Sequence, residues 1–385
     1  MTGTLAPPRG LAPEQLASRL PSLTGLRWVA AFGVWVYHSF QNVPELTLFR
    51  DVTVNNHLQA ISQPAGGLGV QVFFVLSGFV LTWSARPNDT VKAFWRRRFV
   101  KIYPNYLVTW LLAMLMFAMW MTPAWITVVN VVMLQPWVPD VNVFFSVDMP
   151  SWSVGVEALF YACFPLLYLL IRRIEPSRLK YWLAAAVAGS FAIPAILYLS
   201  LPSTPWVESG PVSELQLFFA YIFPPSRLLD FAVGILVARA VMTGRWRDIG
   251  MLWSGALLIA SYVLAMFVPF LYGLRAVSIV PIALLIAAAA NADIAGRFTL
   301  LRNRVMVWLG NISYAFYLVQ LLVYLALRFS LGPGLYSTPV SLLILLADLA
   351  VTIVVSAALY RFVERPAVRR WSKSRARVPA TTTVT

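Results

Sequence analysis

Apolar residues fall along this chain in runs of helix length, and the short stretches between the runs hold nearly all of the charge. A helix needs about 20 predominantly apolar residues to cross a bilayer. By that measure spans are predicted near 24–40, 67–83, 103–121, 152–170, 181–200, 215–238, 250–270, 275–291, 306–328 and 340–361. The apolar piece at 125–138 is too short for a crossing and suits a re-entrant or interfacial helix. The pattern predicts an all-α, polytopic integral membrane protein with about ten transmembrane helices plus that one short helix.

Basic residues decide the orientation. Arg96, Arg97, Arg98 and Lys101 follow the second span, Arg172, Arg173, Arg178 and Lys180 the fourth, and Arg239, Arg245, Arg247, Arg297, Arg302 and Arg304 later ones. These loops share one side only if 125–138 does not cross, and by the positive-inside rule that side is the cytoplasm. Residues 1–20, Pro-rich and without an apolar core, are then expected to be a cytoplasmic tail. Residues 21–366 form the membrane domain, and 367–385, with Arg369, Arg370 and Lys373, a basic cytoplasmic tail. The expected location is the inner (plasma) membrane, with both termini inside. No internal repeat marks a second unit.

Composition narrows the class further. Of 385 residues 59% are hydrophobic and 12% charged, with a mean hydropathy of +0.73, which leaves too little polar surface for a soluble domain of this size. The net charge of +15 would suggest nucleic acid in a soluble chain, but here it sits in topology-setting loops. A single cysteine, Cys163, rules out a disulfide framework or a Cys-rich metal site within one chain. No P-loop, HExxH or GxSxG motif anchors nucleotide hydrolysis, zinc or serine-hydrolase chemistry.

Candidate chemistry lies among ionisable residues inside the spans, where they are expensive. Arg27 and His38, eleven residues apart in the first span, fall about 20° apart on one helix face and about 16 Å apart along it. His38 is the leading general base, since an imidazole takes a proton from an alcohol at neutral pH; the alternative is a core histidine bonded to a neighbouring helix. Arg27 binds an anion or snorkels to lipid phosphates. Glu157, in SWSVGVEALFY, is expected to orient His38 or to pair with another buried base. Arg227 and Asp230, three apart, read as a self-satisfying pair. Arg96, Arg97, Arg98 and Lys101 either receive the phosphates of a cytosolic co-substrate or serve topology alone. Ser77 lies in GVQVFFVLSGF, where small residues also serve close helix packing. Arg361 and Glu364 end the last span in YRFVERP.

Seven blocks in order, GLRWVAAFGVWVYH, GVQVFFVLSGF, RRRFVKIYP, SWSVGVEALFY, RLLDFAVG, LGNISYAFYL and YRFVERP, resemble the acyltransferase type 3 family of integral membrane acyltransferases. The resemblance covers 23–366. It implies transfer of an acyl group, commonly acetyl from acetyl-CoA, to a hydroxyl, with Arg27 and His38 as the paired residues of the first span. It also implies a site role for Glu157, places the arginines around Arg98 on the acyl-CoA side, and brings Tyr314 of LGNISYAFYL among the candidates. One departure is Gln320, where many members carry histidine. The expected activity is O-acylation of a sugar-containing small molecule or secondary metabolite, with acyl-CoA as co-substrate and no permanently bound cofactor. O-acetylation of an envelope glycan and transport of an anion are the alternatives. In this reading His38 is the base, Glu157 holds its imidazole, and attack on the thioester is direct, because Cys163 sits among apolar residues.

Overall fold

The computed structural model describes residues 19–85, 89–208 and 210–372, so the 1–20 and 367–385 tails lie mostly outside the described residues. Its principal helices are α1 (Pro21–Ser39), α2 (Val52–Trp83), α3 (Val91–Ala113), α4 (Ala124–Val131), α5 (Trp152–Arg172), α6 (Leu179–Ser200), α7 (Pro224–Met242), α8 (Gly250–Ala265), α9 (Ile279–Ile294), α10 (Arg304–Leu331) and α11 (Thr338–Leu359). Among the described residues no strand forms. Eight helical segments are long and apolar enough to cross a membrane, and α1 and α8 coincide with the other two predicted spans. The protein is an all-α polytopic membrane protein.

Two helices begin earlier than their apolar runs. Asp51 accepts from the amides of Thr53 and Val54 at 2.9 and 3.1 Å and so starts α2 well before Gly67. Asn55 and His57, which fall between the predicted spans 24–40 and 67–83, are therefore helical. Thr90 caps α3 through the Ala93 amide at 3.2 Å, which makes the basic stretch the first turns of the span itself. Capping signals, rather than hydropathy, set both starts. The short apolar piece behaves as its length requires: α4, about 12 Å long, turns back at Met133 (φ 60°) and leads through a 3-10 turn, Gln135–Trp137, to α5.

In lipid the helices gain little from burying apolar surface against one another, and close packing has to hold them. Gly78 of α2 and Gly234 of α7 show how. A Cβ on Gly78 would stand 2.1 Å from the Phe231 carbonyl oxygen, and one on Gly234 would stand 1.9 Å from that of Val75. The α1 and α10 helices complete the centre, while Leu199, Leu252 and Phe267 leave apolar surface bare on the periphery, as lipid contact demands.

Polar contacts gather the basic loops on one face. Ser22, at the start of α1, donates from its backbone N and its Oγ to Asp293 (2.8 and 2.7 Å), Arg297 pairs with Asp248 (3.5 Å), and Arg239 donates to the Arg172 carbonyl (3.2 Å). On the opposite face the Arg50 and Tyr336 amides donate to Tyr336 and Leu48 carbonyls, each at 2.8 Å, and bind the loops after α1 and α10 together.

Candidate active site

Two cavities approach each other inside the bundle. One, of about 120 Å³, is lined by Arg27, Arg98, Lys101 and Glu157 and opens toward the basic face. The other, of about 700 Å³, is lined by His38, Tyr37, Trp152 and Tyr221 and lies toward the opposite face. Val70 and Tyr317 line both, so they form the partition. A third cavity, of about 270 Å³, shares Leu81 and Arg98 with the first and adds Arg97, Arg172 and Phe164.

His38 stands in the last turn of α1, 9% exposed. Its Nδ1 lies 2.8 Å from the Gln320 amide of α10. With the amide nitrogen facing the ring, Gln320 Oε1 is buried without a partner. A half-turn of the amide brings that oxygen to Nδ1–H instead and leaves the lone pair on Nε2.

Glu157 does not hold the imidazole, contrary to expectation. Ser77 Oγ donates to its Oε1 at 2.7 Å and the Tyr161 hydroxyl to its Oε2 at 3.2 Å. Arg27 and Arg98 act on it electrostatically from the same cavity. The reason lies in the start of α5. Consecutive residues Trp152 and Ser153 line different cavities, so α5 begins at the level of the partition, and Glu157, more than a turn further on, falls on the basic side. Ser77 thereby becomes a carboxylate partner, beyond the packing role that Gly78 fills.

The basic cluster divides. Arg98 and Lys101, three apart on α3, line the cavity of Arg27. Lys101 also pairs with Glu364, whose other oxygen accepts from Asn105 at 2.9 Å. Arg97 pairs with Asp89 and lines the third cavity. Arg96 is exposed and lines none of the three, and Arg361 is likewise exposed, over the Phe362 ring. Glu364, Lys101 and Asn105 tie the last span to α3. Tyr314 donates to the Ile102 carbonyl at 2.8 Å from the wall of the first cavity.

Arg227 and Asp230 form the expected ion pair, Nε to Oδ2 3.0 Å, both fully buried, but the pair does not satisfy itself: among the described residues none of the three guanidinium nitrogens has a hydrogen-bond partner. Gln71 donates to Asp230 at 3.1 Å, and the guanidinium lies between the Phe74 and Tyr221 rings, 5.1 and 5.2 Å from their centroids. Since Phe74 lines the first cavity and Tyr221 the second, the pair stands behind the wall of both without facing either. Cys163 is half-buried and lines none of the three cavities.

Sequence reasoning missed Tyr161, Tyr317 and Tyr221, and noted Gln320 only as a departure. Tyr317 shares a hydrogen bond with Ser153 Oγ (2.8 Å) and donates to the Pro150 carbonyl (3.1 Å), which fixes the partition. Near it, Asp148 is almost fully buried with neither carboxylate oxygen partnered, and burial pushes its carboxyl well above the usual range. Among the described residues no group of three His, Cys, Asp or Glu side chains could hold a metal.

An all-helical membrane bundle with two cavities that meet inside it, one lined by cations and the other by a buried histidine, fits enzymes that bring a donor and an acceptor together from different sides, and sequence comparison makes the class definite. The family of the acyltransferase domain matches residues 20–361, and the chain belongs to it. A relative named acyltransferase MdmB, from Streptomyces mycarofaciens, is 40% identical over 370 residues, covering 93% of this chain and 94% of the relative. The O-acetyltransferase OatA of Staphylococcus aureus (strain NCTC 8325 / PS 47) is 23% identical over 391 residues, covering 94% of this chain and 59% of the relative. No solved structure matches the chain.

Proposed function

We propose that the protein transfers an acyl group, acetyl or another short chain, from acyl-CoA to a hydroxyl of a sugar-containing small molecule or secondary metabolite. The observation that carries this reading is the pair of cavities meeting at Val70 and Tyr317, one lined by cations and the other by His38. Arg27, Arg98 and Lys101 offer cationic groups to a polyanionic thioester at the basic face, and the buried Arg98 Nε has no partner of its own. The Arg97 and Arg172 cavity next to it extends the cationic surface for the phosphates and the adenine. A donor threaded this way brings its thioester carbonyl to the partition.

In this reading the acceptor occupies the larger cavity with its hydroxyl at His38 Nε2. Gln320 Oε1 accepts from Nδ1–H and holds the tautomer whose Nε2 is basic. Nε2 takes the hydroxyl proton as the oxygen attacks the carbonyl; the C–O bond forms, the C–S bond breaks, and the thiolate leaves with the proton from the imidazolium. Glu157, held by Ser77 and Tyr161, balances Arg27 and Arg98 on the donor side. Both termini then lie in the cytoplasm, with the donor.

The test is acyl transfer by purified protein in detergent, using radiolabelled acetyl-CoA and a panel of hydroxylated acceptors. Wild type transfers label to an acceptor, and His38→Ala lowers the rate by roughly 10²–10⁴ without lowering the melting temperature. Transfer that survives His38→Ala removes the base assignment. If no acceptor is labelled while proteoliposomes move an organic anion in a His38-dependent way, the protein is a transporter.

A further inference from the structure

The larger cavity carries a charge pattern that the transfer reading alone does not call for. Among the described residues its only charged side chains are two carboxylates, Glu208 and Glu214; beside them stands Trp206, 67% exposed. The other walls are largely aromatic and aliphatic, with Phe145, Phe270, Tyr37 and Tyr221 among them. The Tyr221 hydroxyl makes no hydrogen bond among the described residues although the residue is only 8% exposed, so its polar end is left for whatever fills the space.

The two carboxylates are not equivalent. Glu214 accepts from the Val141 amide, which fixes it at the wall, whereas Glu208 has no hydrogen bond or ion pair among the described residues and is exposed. The cations on this face offer no competition. Arg50, Arg275 and Arg328 each direct donors to backbone carbonyls, of Leu335, of Ala220 and Ser226, and of Gly332, and none lines the cavity. With no third metal-ligating side chain joining the carboxylates, a metal ion has no ligand set. Carboxylates together with an accessible indole are instead the surroundings that suit an ammonium group, by Coulomb attraction and by the ring quadrupole.

We propose that the acceptor is a cation: a hydroxylated, largely apolar small molecule carrying a protonated amine, whose ammonium group sits among Glu208, Glu214 and Trp206 while its apolar body fills the aromatic cavity and presents a hydroxyl to His38. This rests on the acyl-transfer reading for the hydroxyl but not for the ammonium site, which binds without any donor. A neutral glycan would gain nothing from the carboxylates, and an anionic one would be repelled.

Binding separates the two claims. The probes are a macrolide bearing a dimethylamino sugar and the same compound N-demethylated and N-acetylated, so that only the charge and the amide differ. Affinity is measured by calorimetry on full-length protein in detergent for wild type, Trp206→Ala, Glu208→Gln, and the double Glu208→Gln/Glu214→Gln variant, in which the carboxamide introduced in place of the Glu214 carboxylate keeps an oxygen for the Val141 amide. Wild type binds the amine at least tenfold more tightly than the amide. That ratio falls to within twofold in the double variant, while affinity for the neutral compound stays the same and so reports an intact cavity. The Trp206→Ala variant loses part of the ratio, and raising the salt lowers it. Equal affinities in wild type, binding of neither compound by protein that melts cooperatively, or a ratio that survives the double substitution each overturn the proposal. Charge-selective binding with no transfer from any acyl-CoA leaves the ammonium site standing and removes the transfer reading.

Discussion

The pairing of His38 with Gln320 makes a neutral amide the partner that acid–base catalysis more often assigns to a carboxylate. An amide oxygen fixes the tautomer as a carboxylate does, but it does not add a negative charge that desolvation in the membrane interior would make costly. Replacing Gln320 with Leu removes the only hydrogen-bond partner that Nδ1 has among the described residues, so the turnover number for acyl transfer should fall tenfold or more while the acceptor KM stays within twofold. Gln320→Glu, which restores an oxygen at Nδ1, should recover most of the loss. An unchanged turnover number in Gln320→Leu would show that the imidazole is oriented by packing alone. The contrast with Glu157 shows what a sequence reveals at this scale. Arg27, His38 and Glu157 were all visible as ionisable groups in apolar runs, because such groups are rare there. Which of them meet was not visible: charge marks a residue, but a neutral amide inside LVQLL gives no such mark, and pairing across 282 residues of chain depends on helix depth and rotation.

Helix depth is set by the elements around the partition. Hydropathy located ten helical runs, since the length needed to cross lipid is a strong constraint; it missed the caps at Asp51 and Thr90, which extend α2 and α3 by polar turns. It also could not show that the short helix α4 and the segment behind it carry the chain inward, so that α5 begins where the cavities meet. Those two features place Glu157 among the cations and make Val70 of α2 and Tyr317 of α10 the walls shared by both cavities, which in the transfer reading is the gap an acyl chain crosses. Tyr317 is held by two hydrogen bonds, whereas Val70 has only an apolar side chain with no hydrogen bond to fix it and is the adjustable wall. Val70→Ala removes two methyl groups from the partition and should raise the rate with butyryl- or hexanoyl-CoA relative to acetyl-CoA by about tenfold, the order of discrimination that one or two methylenes give in a hydrophobic pocket. Val70→Phe should narrow the range to acetyl or abolish transfer. If the chain-length profile of Val70→Ala equals that of wild type, the acyl group does not pass between these residues.

At the scale of the whole molecule, the basic loops and the carboxylates Glu208 and Glu214 mark opposite faces, and in the transfer reading the reaction joins substrates that never share a compartment. A charged thioester does not cross lipid unaided, so its side of approach is fixed by where Arg27, Arg98 and Lys101 open; an amphipathic amine that partitions into the bilayer reaches the larger cavity from the other face or from the membrane itself. Sidedness is therefore the property that a soluble enzyme of the same chemistry would lack. In sealed vesicles of one orientation, checked by protease access to the tail beyond Trp371, acetyl-CoA should support transfer only when supplied to the side that carries that tail, and acceptor should be modified when added to the opposite side. Breaking the seal with detergent should make the two additions equivalent. Transfer driven by acetyl-CoA from the opposite face would mean that the cations around Arg98 serve topology alone, and that the donor enters through the cavity that holds His38.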